Sequence, residues 1–307
     1  MPRQPVELGR TGATVAAVHP IEWLRAVARS GDVPQTELAG EAASALSALS
    51  DDPNGLLLST RRLIDRHPTA GVLWWTCARL LSSNDLGREA SAVRRDLDAD
   101  QVGLSLALDL PDDATVAVVG WSGMADELAG RRGDVRILAV VDDPAGGRGG
   151  SRSRLGGGRG NFGLGLRSGA GRHAFDLDLD DDDLDDDEDP VVVVPASGLG
   201  AAVVASDIVL VDVWAASSSR FVAAPGTLAA VATARLTGTA VWLTLGVGRR
   251  LPDPLFGALH RRACADGGDP WLAGVDSLDL GPDAADDKVV EPLEIACPCP
   301  PELLRLG

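Results

Sequence analysis

Cysteine is scarce in this chain of 307 residues, which carries four, at Cys77, Cys264, Cys297 and Cys299. So few thiols in so long a chain exclude a disulfide framework and make a reducing compartment the expectation. Long hydrophobic runs are lacking too, since none approaches the roughly 20 residues that a membrane-spanning helix requires. The opening stretch, MPRQPVELGRTGATVAAV, has no basic region followed by an apolar core. A cytoplasmic location is the reading that results. Lysine occurs once, at Lys288, beside 27 arginines, and the formal net charge is −17. Binding to nucleic acid through phosphate neutralisation needs a clustered basic face, so nucleic acid is disfavoured as a partner.

What is present divides the chain by pattern. From Pro20 to about Ala99 the apolar residues recur at three- and four-residue spacing, as in Trp23 and Val27, then Leu46 and Leu49, then Leu56, Leu63 and Ile64. This spacing predicts helices. Ser50 to Gly55 reads as a turn that caps the helix beginning near Leu56. Pro68 to Leu81 reads as a further helix with Pro68 in its first turn, where a missing N–H costs nothing, and with Trp74, Trp75, Cys77 and Leu81 as packing faces.

Beyond Gln101 short β-branched runs take over: Ala114–Val119, Val135–Val141, Val191–Val194, Ile208–Val213 and Ala240–Leu245. Strands alternating with helical stretches argue for an α/β fold with a Rossmann-like, mostly parallel sheet covered on both faces. The expected organisation is a flexible N-terminus over 1–19, a helical domain over 20–100 and a Rossmann-like domain over 101–304. A low-complexity insertion over 145–190 interrupts the last. Its first half is rich in Gly, Arg and Ser, and residues 176–189 hold eleven acidic side chains and no basic one. Neither half has enough apolar surface to offset chain entropy, so the segment is expected to be disordered. It reads either as an expanded loop without a role or as a regulatory or RNA-touching tail.

Four places carry candidate chemistry. At His67-Pro68-Thr69-Ala70 a threonine hydroxyl at a helix start suits a phosphate or carboxylate, with Arg66 one residue before His67. At Val116 to Ala125 a strand runs into Gly120-Trp121-Ser122-Gly123 and a helix, where Ser122 has no evident activating partner. Asp212 ends an apolar strand, the place where open α/β sheets set ligand-contacting groups, and Gly226-Thr227 opens an Ala-rich helix after a polar crossing. Finally, Gly246-Val247-Gly248-Arg249-Arg250 follows a strand, so that two arginines either meet an anion or lie solvated on a turn. No cofactor is called for, and the Cys297-Pro298-Cys299 pair supplies only two of the four ligands of a structural zinc, so no metal is expected.

The segment from Ser206 to Leu243, SDIVLVDVWAASSSRFVAAPGTLAAVATARLTGTAVWL, resembles the signature of the family that joins the α, β and δ subunits of translation initiation factor 2B to methylthioribose-1-phosphate and ribose-1,5-bisphosphate isomerases. In those proteins an aspartate-ending strand is followed by Asn-Lys-Ile-Gly-Thr, a helix and a second strand. His67-Pro68-Thr69-Ala70 is similar to their Arg-Pro-Thr-Ala, and Pro300 to Leu304 to their closing Pro-Pro-Glu-Leu-Ile. The resemblance implies a ligand cleft between Thr69, Gly120 to Gly123, Asp212 and Gly226-Thr227, and a homodimer formed through the C-terminal domain. It also implies a catalytic cysteine paired with the aspartate, but Gly120 stands at the cysteine's place and a glycine cannot transfer a proton. Asp212 lies 14 residues before Gly226 instead of 13, and Ala223-Ala224 replaces the Asn-Lys pair. The expected function is therefore a catalytically divergent, regulatory protein that binds a phosphorylated sugar or nucleotide. The alternatives are an active aldose–ketose isomerase with Asp212 as base, and a translation-associated interaction protein.

Overall fold

A computed structural model describes residues 34–120, 123–141, 190–264, 274–281, 287–292 and 295–306. The expectations for residues 1–19, for Trp23 and Val27, and for all of 145–190 except Pro190 lie outside the described residues.

Among the described residues, four helices form the N-terminal layer: α1 (Gln35–Ser47), α2 (Pro53–Arg66), α3 (Gly71–Leu81) and α4 (Leu86–Asp98). The turn before α2 caps it as its sequence suggests, with the Asp52 carboxylate accepting from the Gly55 amide at 2.9 Å and Pro53 in the first turn. Asp85 caps α4 in the same way through the Arg88 amide. Helix α3 is apolar nearly all round, which suits a central element. Trp74, Trp75, Cys77 and Leu80 have no exposed surface. Burial pushes the Cys77 thiol up to about 12, against a smaller opposing effect of Thr60, so this cysteine packs as a hydrophobe. The start of α3 departs from expectation. Residues 68–69 form a turn, Ala70 is the N-cap and the helix begins at Gly71. Thr69 is therefore a turn residue rather than a member of the first helical turn, because the Pro68 carbonyl faces inward and accepts from Trp74 Nε1 at 3.0 Å.

The rest of the described chain builds a six-stranded sheet from β1 (Thr115–Val119), β2 (Arg136–Val141), β3 (Val191–Pro195), β4 (Ile208–Asp212), β7 (Ala240–Thr244) and β9 (Lys288–Val290). Their order is β3-β2-β1-β4-β7-β9, and every pairing is parallel. Helices α5 (Val102–Asp109) and α6 (Gly123–Arg131) cover one face, against Val116, Val118, Ile137, Leu210 and Trp242. Helices α7 (Leu199–Val204) and α8 (Thr227–Thr237) cover the other, against Ala117, Val209, Val211, Val241 and Leu243. Burial on both faces explains why the strands read as continuous apolar runs. The helical N-terminal layer followed by this covered parallel sheet is the expected α/β architecture.

The polar crossing between β4 and α8 is a β-hairpin rather than a loop. Strands β5 (Ala215–Ala216) and β6 (Arg220–Ala223) pair antiparallel, and β8 (Asp276–Asp279) adds to β6 as a third strand. After β7 a helix does follow, α9 (Asp253–Ala263), with Pro252 at its N-cap and Pro254 in its first turn, both positions that tolerate proline. The chain closes with α10 (Pro301–Leu304). Around it Ile295, Cys297, Cys299, Leu303 and Leu304 pack on the core of the helical layer. The closing segment is thus a strap that runs from the sheet edge at β9 to the helices.

Candidate functional site

In parallel sheets the carboxyl ends of all strands converge, and a crevice opens where successive connections leave in opposite directions along the sheet. Here that switch lies between β1 and β4, because β1 pairs with β2 on one side and β4 on the other. Register matches Val118 with Leu210, which sets Gly120, just past the end of β1, beside Asp212 at the end of β4. Gly120 has φ +80°, a left-handed conformation that favours glycine, and its amide donates to Val140 at 2.7 Å.

Gly226 and Gly120 are brought together by the chain after the hairpin. A Cβ on Gly226 would lie 3.4 Å from Val119 Cγ1, and one on Gly120 would lie 3.4 Å from Ala224 Cβ. The 224–227 turn thus sits over the end of β1. The turn after α2 arrives from the helical layer. Gly71 donates its amide to Trp214 at 3.2 Å, and a Cβ there would stand 2.5 Å from the same carbonyl. This contact ties the Thr69 turn to the residues directly after Asp212. Gly120 and Asp212 thus lie side by side at the strand ends, the 224–227 turn approaches the end of β1, and the residue two positions after Thr69 meets the residue two positions after Asp212. Arg66 is exposed at the end of α2, and His67 is the half-buried C-cap of that helix. Ser122 lies outside the described residues, and Gly123 opens α6.

Arginine supplies the electrostatics. Arg249 Nη1 forms an ion pair with Asp212 Oδ1 and also donates to the Val213 carbonyl at 2.6 Å; both charged side chains are 12% exposed. Its Nε is buried and has no hydrogen-bond partner among the described residues. Arg249 is held in place by its loop. Gly248, at φ +76°, lies so close to the Trp75 ring that a Cβ would come within 2.8 Å of it, and Asp100 accepts from the Val247 amide at 2.7 Å. Arg250 is committed elsewhere, to Glu291 at 2.5 Å and to the Ser217 carbonyl. Neither arginine is the solvated turn residue that the composition of the loop suggested.

The Gly-Thr turn is internally satisfied. Thr227 is 1% exposed, and its hydroxyl donates to the Ala224 carbonyl at 2.6 Å. The Leu228 amide, at the N-terminus of α8, donates to Asp276 Oδ2 at 2.8 Å. A carboxylate from β8 thus occupies one of the amides that an anion at this helix end would use.

No protein-family model matches the chain, and comparison with curated proteins gives no match. Solved structures do match. Translation initiation factor 2B of Pyrococcus horikoshii OT3 aligns at 12% identity with a TM-score of 0.56, over 76% of this chain and 80% of that one. The chain has the fold of the initiation factor 2B subunits. The tetrameric β2δ2 complex of that factor from C. thermophilum aligns at 15% identity with a TM-score of 0.54, over 85% of each chain. Its β subunit from Chaetomium thermophilum aligns at 13% identity with a TM-score of 0.50. The resemblance read from the Gly-Thr helix and the closing Pro-Pro-Glu-Leu is therefore matched by the path of the backbone. Asp212 ends β4, and the β5–β6 hairpin lies between it and Gly226. Arg249 is the site residue whose role sequence reasoning left open. The available signal was an arginine after a glycine turn following one strand, with a lone acid ending another.

Proposed function

We propose that this chain is a catalytically divergent binding protein on the initiation factor 2B fold, with a regulatory role rather than isomerase activity. The clamp of Arg249 on Asp212, opposite Gly120, carries this reading. Proton transfer between adjacent sugar carbons needs a free base and a second acid–base group facing it. Here one oxygen of the only acid at the crevice end of β4 is committed to a guanidinium, and a glycine stands where the partner group would be.

The ligand of this reading is a phosphorylated sugar or nucleotide held at the crevice between Thr69, Gly120 and Arg249. The buried, unpartnered Nε of Arg249 supports an oxyanion as its acceptor, since a buried guanidinium donor without a partner is costly. Thr227 takes a structural part, because its hydroxyl and amide both donate to the Ala224 carbonyl within the turn, and Asp276 takes the next amide, that of Leu228. A homodimer and a cytoplasmic location belong to the same proposal, and the tetrameric assembly named for the C. thermophilum complex supports self-assembly on this fold; association with translation components is the alternative. Twice the chain mass of 31.7 kDa in light scattering is the expected result for the dimer.

The test is a thermal-shift screen against pentose phosphates, methylthioribose 1-phosphate and nucleoside monophosphates, followed by turnover assays. A ligand of the native state raises the melting temperature by mass action. The expected result is a shift that Arg249→Met abolishes and Arg249→Lys weakens, without turnover. Turnover of a pentose 1-phosphate that Asp212→Asn abolishes would establish the isomerase instead. No shift with any compound would leave an interaction protein as the reading.

A further inference from the structure

The two faces of the small sheet carry different chemistry. Phe221, Ala223 and Leu278 share one face and join the core beneath α8. Arg220, Val222, Ser277 and Asp279 share the other, where Val222 belongs to the same core as Leu255, Phe256 and Leu259 of α9. His260 and Cys264 stand one turn apart at the end of α9, so their side chains lie on one side of it. His260 Nε2 is 3.2 Å from Ser277 Oγ and 3.8 Å from the Cys264 sulfur. Arg220 Nη2 donates to Ser277 Oγ at 3.2 Å, and its side chain is 48% exposed. A thiol, an imidazole, a hydroxyl and a guanidinium are thus gathered at one place, away from the crevice.

Of the four thiols of the chain, Cys264 alone is exposed; Cys77 is buried, and Cys297 and Cys299 are half-buried in the closing strap. Burial pushes Cys77 and Cys297 up to about 12, which leaves them inert. Partial burial raises Cys264 as well, against the opposing charge of Arg220. It also stands at the carbonyl end of α9, which disfavours a thiolate. It therefore keeps its proton at neutral pH and needs a base in order to react. His260 is that base. Burial, with Arg220 and Arg261 acting in the same direction, holds the imidazole below its ordinary value, so it is unprotonated at neutral pH. With the ring proton on Nδ1, Nε2 meets the thiol as an acceptor. The two arginines also decide what the pair takes: their charge disfavours a metal cation on the thiol and imidazole and favours an anionic reagent.

We propose that Cys264 is a modification site, at which the thiol exchanges with a low-molecular-weight disulfide that bears carboxylates, with His260 as the base and Arg220 holding a carboxylate of the reagent. The S–H proton of Cys264 passes to His260 Nε2 as its sulfur attacks one sulfur of the disulfide. The S–S bond of the reagent breaks, and the departing sulfur takes the proton from His260. The products are a mixed disulfide on Cys264 and one free thiol, so the disulfide itself is the only oxidant. A guanidinium with a single 3.2 Å hydrogen bond, and with Asp279 no nearer than 3.9 Å, has donors left for the carboxylate. The site is independent of the crevice and of the function proposed for it.

The experiment follows the intact mass of the full, reduced chain over time at neutral pH with glutathione disulfide, and separately with cystamine, a dicationic disulfide. The expected first product is a single glutathionyl adduct, which Cys264→Ser abolishes. His260→Gln should slow its formation at least about tenfold. Arg220→Met should slow the reaction with glutathione disulfide about threefold and leave that with cystamine unchanged or faster. Circular dichroism checks that each variant is folded, and His260→Asn replaces His260→Gln if the latter is not. Cys264 and Arg220 are exposed, so their variants test the proposal whatever the His260 variants do. The proposal is overturned if no adduct forms, if the first adduct forms on another cysteine, if a folded His260 variant reacts as fast as the unaltered chain, or if Arg220→Met changes both disulfides alike.

Discussion

At the residue scale the Asp212–Arg249 pair joins chemistry to stability. Both side chains are largely buried, so removing one leaves the other charged and uncompensated in a poorly solvated place, at a cost of about 3 kcal/mol. Arg249→Met and Asp212→Asn should each lower the urea midpoint by that order, and the double variant should lose clearly less than the sum. Additive losses would mean that the pair does not act as a unit. His260 carries a separate prediction. Burial holds it below its ordinary value, with the charges of Arg220 and Arg261 acting in the same direction. The unfolded chain then binds the proton more readily than the folded one, so stability is full above about pH 6.5 and falls as the pH drops from there towards the lower folded value. His260→Gln should flatten that part of a denaturation curve measured against pH. Asp212 was legible as a site candidate because a lone acid ending an apolar run is conspicuous. Its partner was not, because Arg249 lies 37 residues away on another strand's loop and only the sheet register brings the two together.

At the scale of elements, runs of Val, Ile and Leu marked the five longer strands because four of them, β1, β2, β4 and β7, are buried along nearly their whole length and have no need of alternation, while the edge strand β3 is half-buried over 191–194. The small sheet was hidden for the opposite reason. β5 is two residues long and β6 is four, and the strand that stabilises them, β8, comes more than 50 residues later. No local pattern can announce such pairing. β8 does more than complete the small sheet, since Asp276 reaches from it to the Leu228 amide and caps α8 from outside the helix's own sequence. This long-range cap is why no capping residue appears at Gly226-Thr227: Gly226 takes φ +93° to make the turn, and Thr227 spends its hydroxyl within it. Asp276→Ala should therefore cost about 1 kcal/mol and raise hydrogen exchange in the first turn of α8. Asp276→Asn, which keeps an acceptor oxygen, should cost less. An unchanged exchange rate at Leu228 would show that the contact is not maintained in solution.

At the scale of the whole molecule, the division into a helical domain over 20–100 and a sheet domain over 101–304 describes the order of elements but not the way they are packed. The largest core cluster takes Leu38 to Leu97 from the four N-terminal helices, Ala215 and Val222 from the hairpin, Val247 to Leu259 from the loop and helix after β7, and Leu303 from the closing strap. Trp75 is enclosed against Gly248, and Gly71 against Trp214 and Ala215, so the helical layer and the crevice end of the sheet meet without a layer of solvent. Separation of the two would expose this apolar surface, and the hairpin would lose side chains that bury its two strands. Unfolding should then be one cooperative event for both layers. In hydrogen exchange at increasing urea, the amides of α3 and of β4 should lose protection with a common free energy and a common denaturant slope. Leu303→Ala opens a cavity where the strap meets the helices. It should lower the stability of both elements together by about 2–4 kcal/mol, because the lost contact lies in the core that they share. If α3 instead opened at lower urea than β4, the helical layer would be a separately unfolding unit, and the crevice would open and close with it.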